Sequence, residues 1–417
     1  MTVFRGFGNL AVGAALAFGL VACATTDAPA LDMAATADAI HTRVLVLDGH
    51  ADIAMPETSA IYLGADGASQ VTPAKLKAGG VDAVVMSIAA GPQPRTPEGD
   101  ATAAAEAAAK LKTILLEIEN NSSDLALAKT ADDVRSISES GKTAIILGFQ
   151  NAQSLERDLS RLDDYYAAGV RVFGLTHLGH NDFADSSRPK YDGETRSYEA
   201  TEHDGLSALG KAAVAKIDGL GGIIDVSQTS KAATLQAIEL ATHPVIASHS
   251  NVKALSDVTR NLSDEELDRI GETGGVVHIA AFSAYLVDLT DPDMLEKIRD
   301  VRVAAGLPEA YAYPYELYWE LEDAAEKMTF LTNMTALVGQ EDVSRLVDHI
   351  DYVVDRIGIE HVGIGTDFNH GGGIVGFDEA DSAGAVTHEL VKRGYSEADI
   401  AKIWSGNFLH VLEASGN

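Results

Sequence analysis

Short runs of apolar, often β-branched residues recur along the chain from about residue 44 onward. Continuous apolar runs of this kind predict strands buried on both faces, as in a parallel sheet. Between them lie longer stretches rich in Ala, Leu and Glu, which predict helices, so the chain is built from repeated strand–helix units. The eight predicted strands cover residues 44–48, 81–87, 144–148, 170–175, 222–226, 244–248, 275–279 and 361–365.

Eight such units fit either a closed (β/α)8 barrel or an open, doubly wound sheet. The ends of the strands favour the barrel, because most of them carry a residue that can bind a metal or move a proton. A barrel gathers the carboxyl ends of all its strands at one mouth, whereas an open sheet scatters them. We therefore predict an α/β fold, a TIM-type (β/α)8 barrel that forms a single domain over residues 39–417.

One long stretch, residues 285–332, interrupts the alternation of strands and helices. We predict that it is an inserted helical and aromatic segment that folds over the mouth or extends a contact with a neighbour. A cluster of aromatic residues is more typical of packing than of binding. Its aromatic residues include Tyr311, Tyr313, Tyr315, Tyr318 and Trp319.

The amino-terminal residues have the pattern of an export signal. A positive charge at Arg5 is followed by a short apolar core and by Leu20-Val-Ala-Cys23. This pattern predicts a secretory signal peptide over residues 1–23 that ends in a lipobox, with Cys23 lipidated; an ordinary signal peptide is the alternative. Residues 24–38 are predicted to be a flexible tether. Ala24, in place of Asp, favours a bacterial outer-membrane lipoprotein that faces the periplasm.

Composition narrows the chemistry. Cys23 is the only cysteine, so its lipidation would leave no disulfide, thiolate zinc site or cysteine nucleophile. The net charge of −31 argues against a nucleic-acid partner, because phosphate backbones require Lys and Arg. We expect contact with a membrane only through the lipid anchor.

Histidine and aspartate residues at strand ends are the candidate functional groups. His50 and Asp52 follow the first strand two residues apart, so both side chains can reach one ion. His177, His249 and Asp367 end the fourth, sixth and eighth strands. This layout predicts a metal-dependent hydrolase, in which a metal polarises a carbonyl and lowers the pKa of a bound water to about 7. Asp367 would move the water's proton to the leaving amine, and His177 would stabilise the oxyanion.

These residues lie within a series of longer motifs. The motifs are Asp48-Gly-His-Ala-Asp52, Leu175-Thr-His177, Ala184-Asp185, Gly205-Leu-Ser207, Asp225-Val-Ser227, Pro244-Val-Ile-Ala-Ser-His-Ser250, Thr259-Arg-Asn261, His361-Val-Gly-Ile-Gly-Thr-Asp-Phe368 and Gly406-Asn-Phe-Leu409. Through these motifs the chain, from about residue 40 to 413, resembles the membrane (renal-type) dipeptidases of the amidohydrolase-like barrel superfamily. The resemblance implies hydrolysis of dipeptides and two zinc ions in the barrel mouth.

The resemblance also implies roles for single residues. His50, Asp52 and Asp367 would bind the first metal, and His249 the second. His177 would contact the substrate carbonyl. Members of the family often dimerise, which makes a homodimer possible here.

Arg260 would bind the C-terminal carboxylate of the substrate, a role that suits the two-pronged geometry of a guanidinium. Without the resemblance, Arg260 would be interpreted as a surface charge that flanks a helix.

Two positions depart from the family pattern. Gln150 stands where the family has a glutamate that bridges the two metals, and Gln228 stands where it has a histidine. A neutral amide oxygen binds zinc less well than a carboxylate or an imidazole does, and it cannot supply an anionic bridge. We therefore predict one tightly bound zinc ion and a second that is weak or absent, with Gln150 and Gln228 only possible ligands.

Three further histidines, His180, His203 and His370, fall in loops near the predicted mouth and are interpreted as ordinary loop residues. Three functions stay open at this point. The chain is a dipeptidase with one strong metal site, a related barrel enzyme that acts on a different exported peptide or amide, or a non-catalytic binding protein with a degenerate metal site.

Overall fold

The computed structural model describes residues 33–189, 191–192, 197–287, 292–307, 321 and 323–416. The predicted signal peptide, Cys23 and residues 24–32 of the predicted tether lie outside the described residues, as do the aromatic positions 311–319. Residues 33–38, also assigned to the tether, instead belong to the first helix, Met33–Arg43.

Nine parallel strands form the main sheet, and the eight predicted strands are all among them. The strands, numbered along the chain, are β1 Leu47–Asp52, β2 Ala83–Ala89, β3 Leu125–Ala128, β4 Thr143–Gln150, β5 Val170–Gly174, β6 Tyr191–Asp192, β7 Ser197–Tyr198, β8 Ile223–Asp225, β9 Ile246–Ala247, β10 Val276–Ala280 and β11 Val362–Gly365. In the main sheet, adjacent strands follow the order β1-β2-β4-β5-β8-β9-β10-β11, with β3 beside the first half of β4. A separate antiparallel pair, β6 and β7, lies in the loop after β5.

The sheet closes between its first and last strands. Ala51 of β1 forms a parallel bridge with Phe368, just beyond β11. Across the same seam the amide of Asp52 donates to the Phe368 carbonyl at 2.9 Å, and the amide of Asp367 donates to the His50 carbonyl at 2.9 Å. The predicted (β/α)8 barrel is therefore confirmed, and the open sheet is excluded.

Helices follow most of the barrel strands and cover the outside of the sheet. None of the helices in the described part of the chain is long and apolar enough to cross a membrane. The helices are α1 Met33–Arg43, α2 Pro73–Ala78, α3 Pro97–Asn120, α4 Ala131–Glu139, α5 Arg161–Ala168, α6 Ala208–Leu220, α7 Lys231–Leu240, α8 Asp264–Glu272, α9 Ser283–Leu286, α10 Pro292–Ala304, α11 Ala324–Val338, α12 Val343–Ile357, α13 Gly384–Lys392, α14 Glu397–Ala401 and α15 Asn407–Ala414.

The interior of the barrel is filled from the end where the strands begin. Phe408 and Leu412 of α15 pack there against apolar residues such as Leu47 and Val276. The imidazole of His278 occupies the next level, where Gly49 leaves it room: a Cβ on Gly49 would lie 2.6 Å from the His278 ring. The functional groups are thus left to the opposite end, where the strands finish.

The described parts of the inserted segment are helical, as predicted. The end of α9, all of α10 and the first part of α11 fall within residues 285–332. They share a small core of their own, which includes Tyr285, Ile298 and Phe330. This core begins directly after β10, so the insertion is attached at the mouth end of the barrel.

Candidate active site

The predicted site residues converge at the carboxyl ends of the strands. This follows from the parallel arrangement, since every strand of the barrel finishes at the same mouth. All of them are buried, with at most 3–4% of each residue exposed. They are His50 and Asp52 on β1, Gln150 on β4, His177 after β5, Gln228 after β8, His249 after β9, Arg260 in the loop after it, and Asp367 after β11.

Among the described residues, His50, His249 and Asp367 form a group of possible metal ligands, with ligand atoms all within 4.8 Å of one another. Asp52 lies beside them, its Oδ2 atom 3.8 Å from Nε2 of His50. Asp367 has a φ of 59°, a left-handed conformation that is uncommon and strained for a residue with a side chain. Strain of this kind is typical of functional sites, where the surrounding structure holds it in place.

Two buried aspartates, Asp48 and Asp225, join the ends of neighbouring strands through hydrogen bonds. Asp48 accepts hydrogen bonds from the amides of His50 and Thr366 and from the Thr366 hydroxyl, and so joins β1 to β11. Burial raises the pKa of Asp48 to about 6 against the opposing effect of these hydrogen bonds. Asp225 joins β8 to β9 in the same way, through the amides of Ser227 and Ser248. The metal-binding side chains therefore stand on a fixed backbone.

Burial and neighbouring charges shift the pKa values of the ionisable groups of the site in different directions. Burial opposes ionisation of Asp52, but the nearby imidazoles of His50 and His370 outweigh it and hold the pKa of Asp52 well below its usual range. Burial lowers the pKa values of His177 and His249 well below the ordinary value for histidine. Burial also raises the pKa of Asp367, which suits a carboxylate that accepts a proton and gives it up again.

The side chain of Gln228 is held between two partners. Its Oε1 atom accepts a hydrogen bond from the Leu178 amide at 3.2 Å, so its NH2 group points the other way. That group lies 3.1 Å from Nε2 of His249, to which it donates. Gln150 is buried, and its Nε2 atom has no hydrogen-bond partner among the described residues.

The fold family implies two metal ions, and these contacts leave room for one of them but not for the other. Nε2 of His50 and Oδ1 of Asp52 are buried and lack hydrogen-bond partners among the described residues. Together with the Asp367 carboxylate they are nitrogen and oxygen donors of the kind that zinc binds, so one ion fits here. A second ion does not fit the structure as it stands, because Nε2 of His249 already accepts the Gln228 amide.

His177 lies beside the metal-binding group and contacts the end of β2. Its Nδ1 atom donates to the Ala90 carbonyl at 2.9 Å, which leaves Nε2 with a lone pair in the neutral ring. Donation from His177 to an oxygen of the substrate therefore requires the imidazolium form. The assigned contact with the substrate carbonyl stays a prediction.

Arg260 is buried, and this excludes the interpretation as a surface charge. Its Nη1 atom donates to the His249 carbonyl, and its guanidinium lies over the Tyr285 ring at 4.1 Å. Nε and Nη2, which form one edge of the guanidinium, have no hydrogen-bond partner among the described residues. That edge can take a carboxylate in a two-pronged arrangement.

His370 is the site residue that sequence reasoning did not identify. Its ring lies 4.9 Å from that of His177, and its Nδ1 atom is 3.7 Å from Oδ2 of Asp52. It stacks on Tyr62 at 5.7 Å. Its position three residues after Asp367, in the loop after the last barrel strand, was the one available signal.

The other two loop histidines point to different partners. Nδ1 of His180 accepts the Ser186 amide, and Nε2 of His203 contacts the Asn181 carbonyl at 2.9 Å. Neither has a recorded contact with His249 among the described residues. They do not rebuild the second metal site.

A barrel with a buried His/Asp group at its mouth is typical of metal-dependent hydrolases. The chain belongs to the membrane dipeptidase family (Peptidase family M19), whose model matches residues 34–416. It is 34% identical to the probable dipeptidase PvdM from Pseudomonas aeruginosa, a structure that superimposes with a TM-score of 0.81 over 92% of this chain and 98% of that one.

Two fungal relatives are more distant. The chain is 30% identical to the dipeptidase aclJ of Aspergillus oryzae over 65% of its own length and 51% of the relative's. It is 28% identical to the dipeptidase tcpJ of Claviceps purpurea over 71% of its own length and 56% of the relative's. The chain thus spans about half the length of these relatives. The family identified by resemblance is confirmed.

Proposed function

We propose that the chain is a dipeptidase that works with one tightly bound zinc ion, held by His50, Asp52 and Asp367. The observation that carries this proposal is the pair of buried donor atoms, Nε2 of His50 and Oδ1 of Asp52, that lack partners among the described residues. Leaving a buried polar atom unpaired costs about 1–3 kcal/mol, which a bound cation would recover. Membership of the metallopeptidase family supports the same reaction class.

The residues of the mouth divide the reaction between them. Zinc, when bound, supplies a Lewis acid that polarises the peptide carbonyl and makes water more acidic. Asp367 takes a proton from the attacking water and passes it to the leaving amine. Arg260 binds the C-terminal carboxylate through its open Nε–Nη2 edge, which fixes the scissile bond over the metal-binding group.

The second metal is weak or absent because its place is taken by neutral hydrogen bonds. Binding an ion to His249 requires the Gln228 amide to leave Nε2 of the ring and also to give up the Leu178 amide. Gln150 brings no negative charge that would offset this loss. The glutamines therefore favour one ion over two.

Hydrolysis of a panel of mixed dipeptides tests the proposal. The purified full chain is assayed as prepared, after treatment with a chelator, and after zinc is restored, while the bound metal is counted. We expect cleavage that the chelator abolishes and zinc restores, with one ion per chain. Cleavage that survives complete removal of metal would overturn the mechanism.

The two glutamines also support a second candidate, a protein that binds dipeptides or a related amide without cleaving dipeptides. The same panel separates the two functions when binding is measured by calorimetry. Zinc-dependent binding of a dipeptide without any cleavage would favour the second candidate. The buried Asp367 carboxylate supports the enzyme, since binding alone does not need a group that moves protons.

We also propose that the protein acts at the bacterial cell envelope, at the outer membrane, anchored through lipidated Cys23 and facing the periplasm. The sequence pattern before Cys23 supports this location. Labelling with a radioactive fatty acid, in the natural chain and in Cys23→Ser, tests it: label must enter the first and not the second. The homodimer stays a prediction.

A further inference from the structure

We infer that the hydroxyl of Ser248 sets the tautomer of both histidines at the centre of the site, His50 and His249. Ser248 would thus be a positioning residue, one that prepares the metal-facing nitrogens without touching metal or substrate. The inference rests on the proposed function only in taking His50 as a metal ligand. The hydrogen bonds themselves are properties of the protein without metal.

Ser248 lies at the centre of three short contacts. Its Oγ atom is 2.6 Å from Oδ2 of Asp225, 2.7 Å from Nδ1 of His249 and 3.2 Å from Nδ1 of His50. The serine is completely buried, so water does not compete for these positions. Both imidazoles therefore meet the same hydroxyl with the same ring nitrogen.

The direction of each hydrogen bond follows from what a hydroxyl can do. It has one proton to donate and two lone pairs that accept. The single proton goes to the carboxylate of Asp225, whose Oδ2 atom accepts it in the shortest of the three contacts. The two lone pairs are then left for two N–H donors, the Nδ1–H groups of His50 and His249. This arrangement uses the full capacity of the hydroxyl.

The stacking of the two rings completes the arrangement. Their centroids are 3.8 Å apart and their planes differ by 25°. With both Nδ1 atoms protonated and directed at Ser248, both Nε2 lone pairs are available at the other side of the rings. That of His249 accepts the Gln228 amide, and that of His50 has no hydrogen-bond partner among the described residues.

One hydroxyl thereby serves both halves of the site. It holds the lone pair of His50 ready for a metal, and it holds the lone pair of His249 ready for Gln228. The tautomer of a metal-binding histidine is generally set by the hydrogen bond that its other nitrogen makes. Here the unusual feature is that one partner is shared by two stacked rings.

Nitrogen NMR of the full chain, with 15N-labelled histidine, tests the inference directly. The protein is freed of metal and studied at alkaline pH, where the imidazoles are neutral, and the signals are assigned with His50→Gln and His249→Gln. We expect the proton of both rings on Nδ1. A wild-type spectrum in which either ring carries its proton on Nε2 would overturn the inference, whatever the variants do.

Two variants and a control extend the test. Ser248→Ala should release the tautomers and weaken zinc binding about 10–100-fold, the usual loss when an outer hydrogen-bond partner is removed. Ser248→Thr, which keeps the hydroxyl, should restore both. Ser250→Ala is the matched control for the tautomers and for zinc affinity, because this buried hydroxyl contacts Ser227 and Arg260 and not an imidazole. Its tautomers and zinc affinity should match wild type.

The outcomes separate this inference from the proposed function. Nδ1 protons that persist in Ser248→Ala with unchanged zinc affinity would overturn the role of Ser248 and leave the dipeptidase untouched. Conversely, a protein that shows the expected tautomers and their loss in Ser248→Ala but cleaves no dipeptide would refute the proposed function alone.

Discussion

The barrel mouth has two halves, the first with His50 and Asp52 and the second with His249 and Gln228. In each half a buried aspartate, Asp48 or Asp225, joins neighbouring strand ends. The halves differ in whether their metal-facing donor atoms already have hydrogen-bond partners. In the first half, His50 and Asp52 present buried atoms that lack hydrogen-bond partners among the described residues. In the second half, Nε2 of His249 accepts a hydrogen bond from Gln228. Nδ1 of each histidine contacts the hydroxyl of Ser248, so the difference arises at Nε2, on the metal-facing side of each ring.

We propose that the second half has lost a metal site, and the hydrogen bond from Gln228 to His249 indicates how this can happen without leaving an unpaired buried nitrogen. A buried nitrogen that simply lost its metal would be left unpaired, at a cost of about 1–3 kcal/mol. Gln228 avoids this cost in the second half because its amide nitrogen meets the ring where an ion would otherwise lie. Affinity for metal then depends on the hydrogen bonds that must be broken, as well as on the residues at ligand positions.

The largest effect is expected at Asp367, in the first half. Asp367→Asn keeps the shape of the side chain but cannot take a proton and binds zinc less well. With zinc added to saturation, kcat should fall by about 10²–10⁴-fold, the usual contribution of a general base. Binding of a dipeptide, measured by calorimetry, should persist. Asp381→Asn, an exposed aspartate in the same region, is the control and should keep full activity. Full activity in Asp367→Asn would contradict the mechanism.

A comparison of the two halves by metal affinity should give the next largest effect. Asp52→Ala removes a direct ligand, and we expect zinc to bind more than about 100-fold more weakly, since loss of an outer partner alone costs about 10–100-fold. Gln228→Ala removes a residue of the second half and should leave the affinity for the first zinc little changed. Calorimetric titration of both variants with zinc decides this. Equal losses would show that one ion spans both halves.

Restoring the family residues should convert the second half into a metal site. In Gln150→Glu/Gln228→His, the glutamate supplies the missing bridge charge and the new histidine replaces the amide that covers His249. We expect two zinc ions per chain in this variant and one in the natural chain, by metal analysis after dialysis. The two single variants, Gln150→Glu and Gln228→His, are the controls, and each should still bind about one zinc ion per chain. A double variant that still holds one ion would show that more than these two residues separates the halves.

The fold was open to prediction because the barrel strands are buried on both faces and therefore read as continuous apolar runs. The exception is β3, Leu125–Ala128, which was not predicted. Its residues, Leu and Ala, are strong helix formers, and only pairing with Thr143–Ile146 of β4 makes them a strand. The candidate ligands could be found as well, since each lies at a strand end.

What the sequence could not show is orientation. That Gln228 turns its amide nitrogen to His249 depends on the Leu178 amide, fifty residues away in the chain. The approach of His370 to Asp52 and His177 depends on the path of the loop after β11. Ser248 gave no signal of its own, because a serine beside a histidine has no definite meaning until the positions of Asp225 and His50 are known.

The smallest effect is expected at Arg260, and it tests whether the two halves are independent. Arg260→Lys keeps the charge but loses the two-pronged edge, so KM for a dipeptide should rise about 10-fold, equivalent to one charged hydrogen bond of about 1.5 kcal/mol. The matched control is the same dipeptide with a C-terminal amide, whose KM should be high already and little changed by the substitution. An equal rise for both substrates would refute the carboxylate contact.

Because Arg260 also donates to the His249 carbonyl, zinc affinity should be measured in the same variant. An unchanged value would show that the second half can be loosened while the first half keeps its metal.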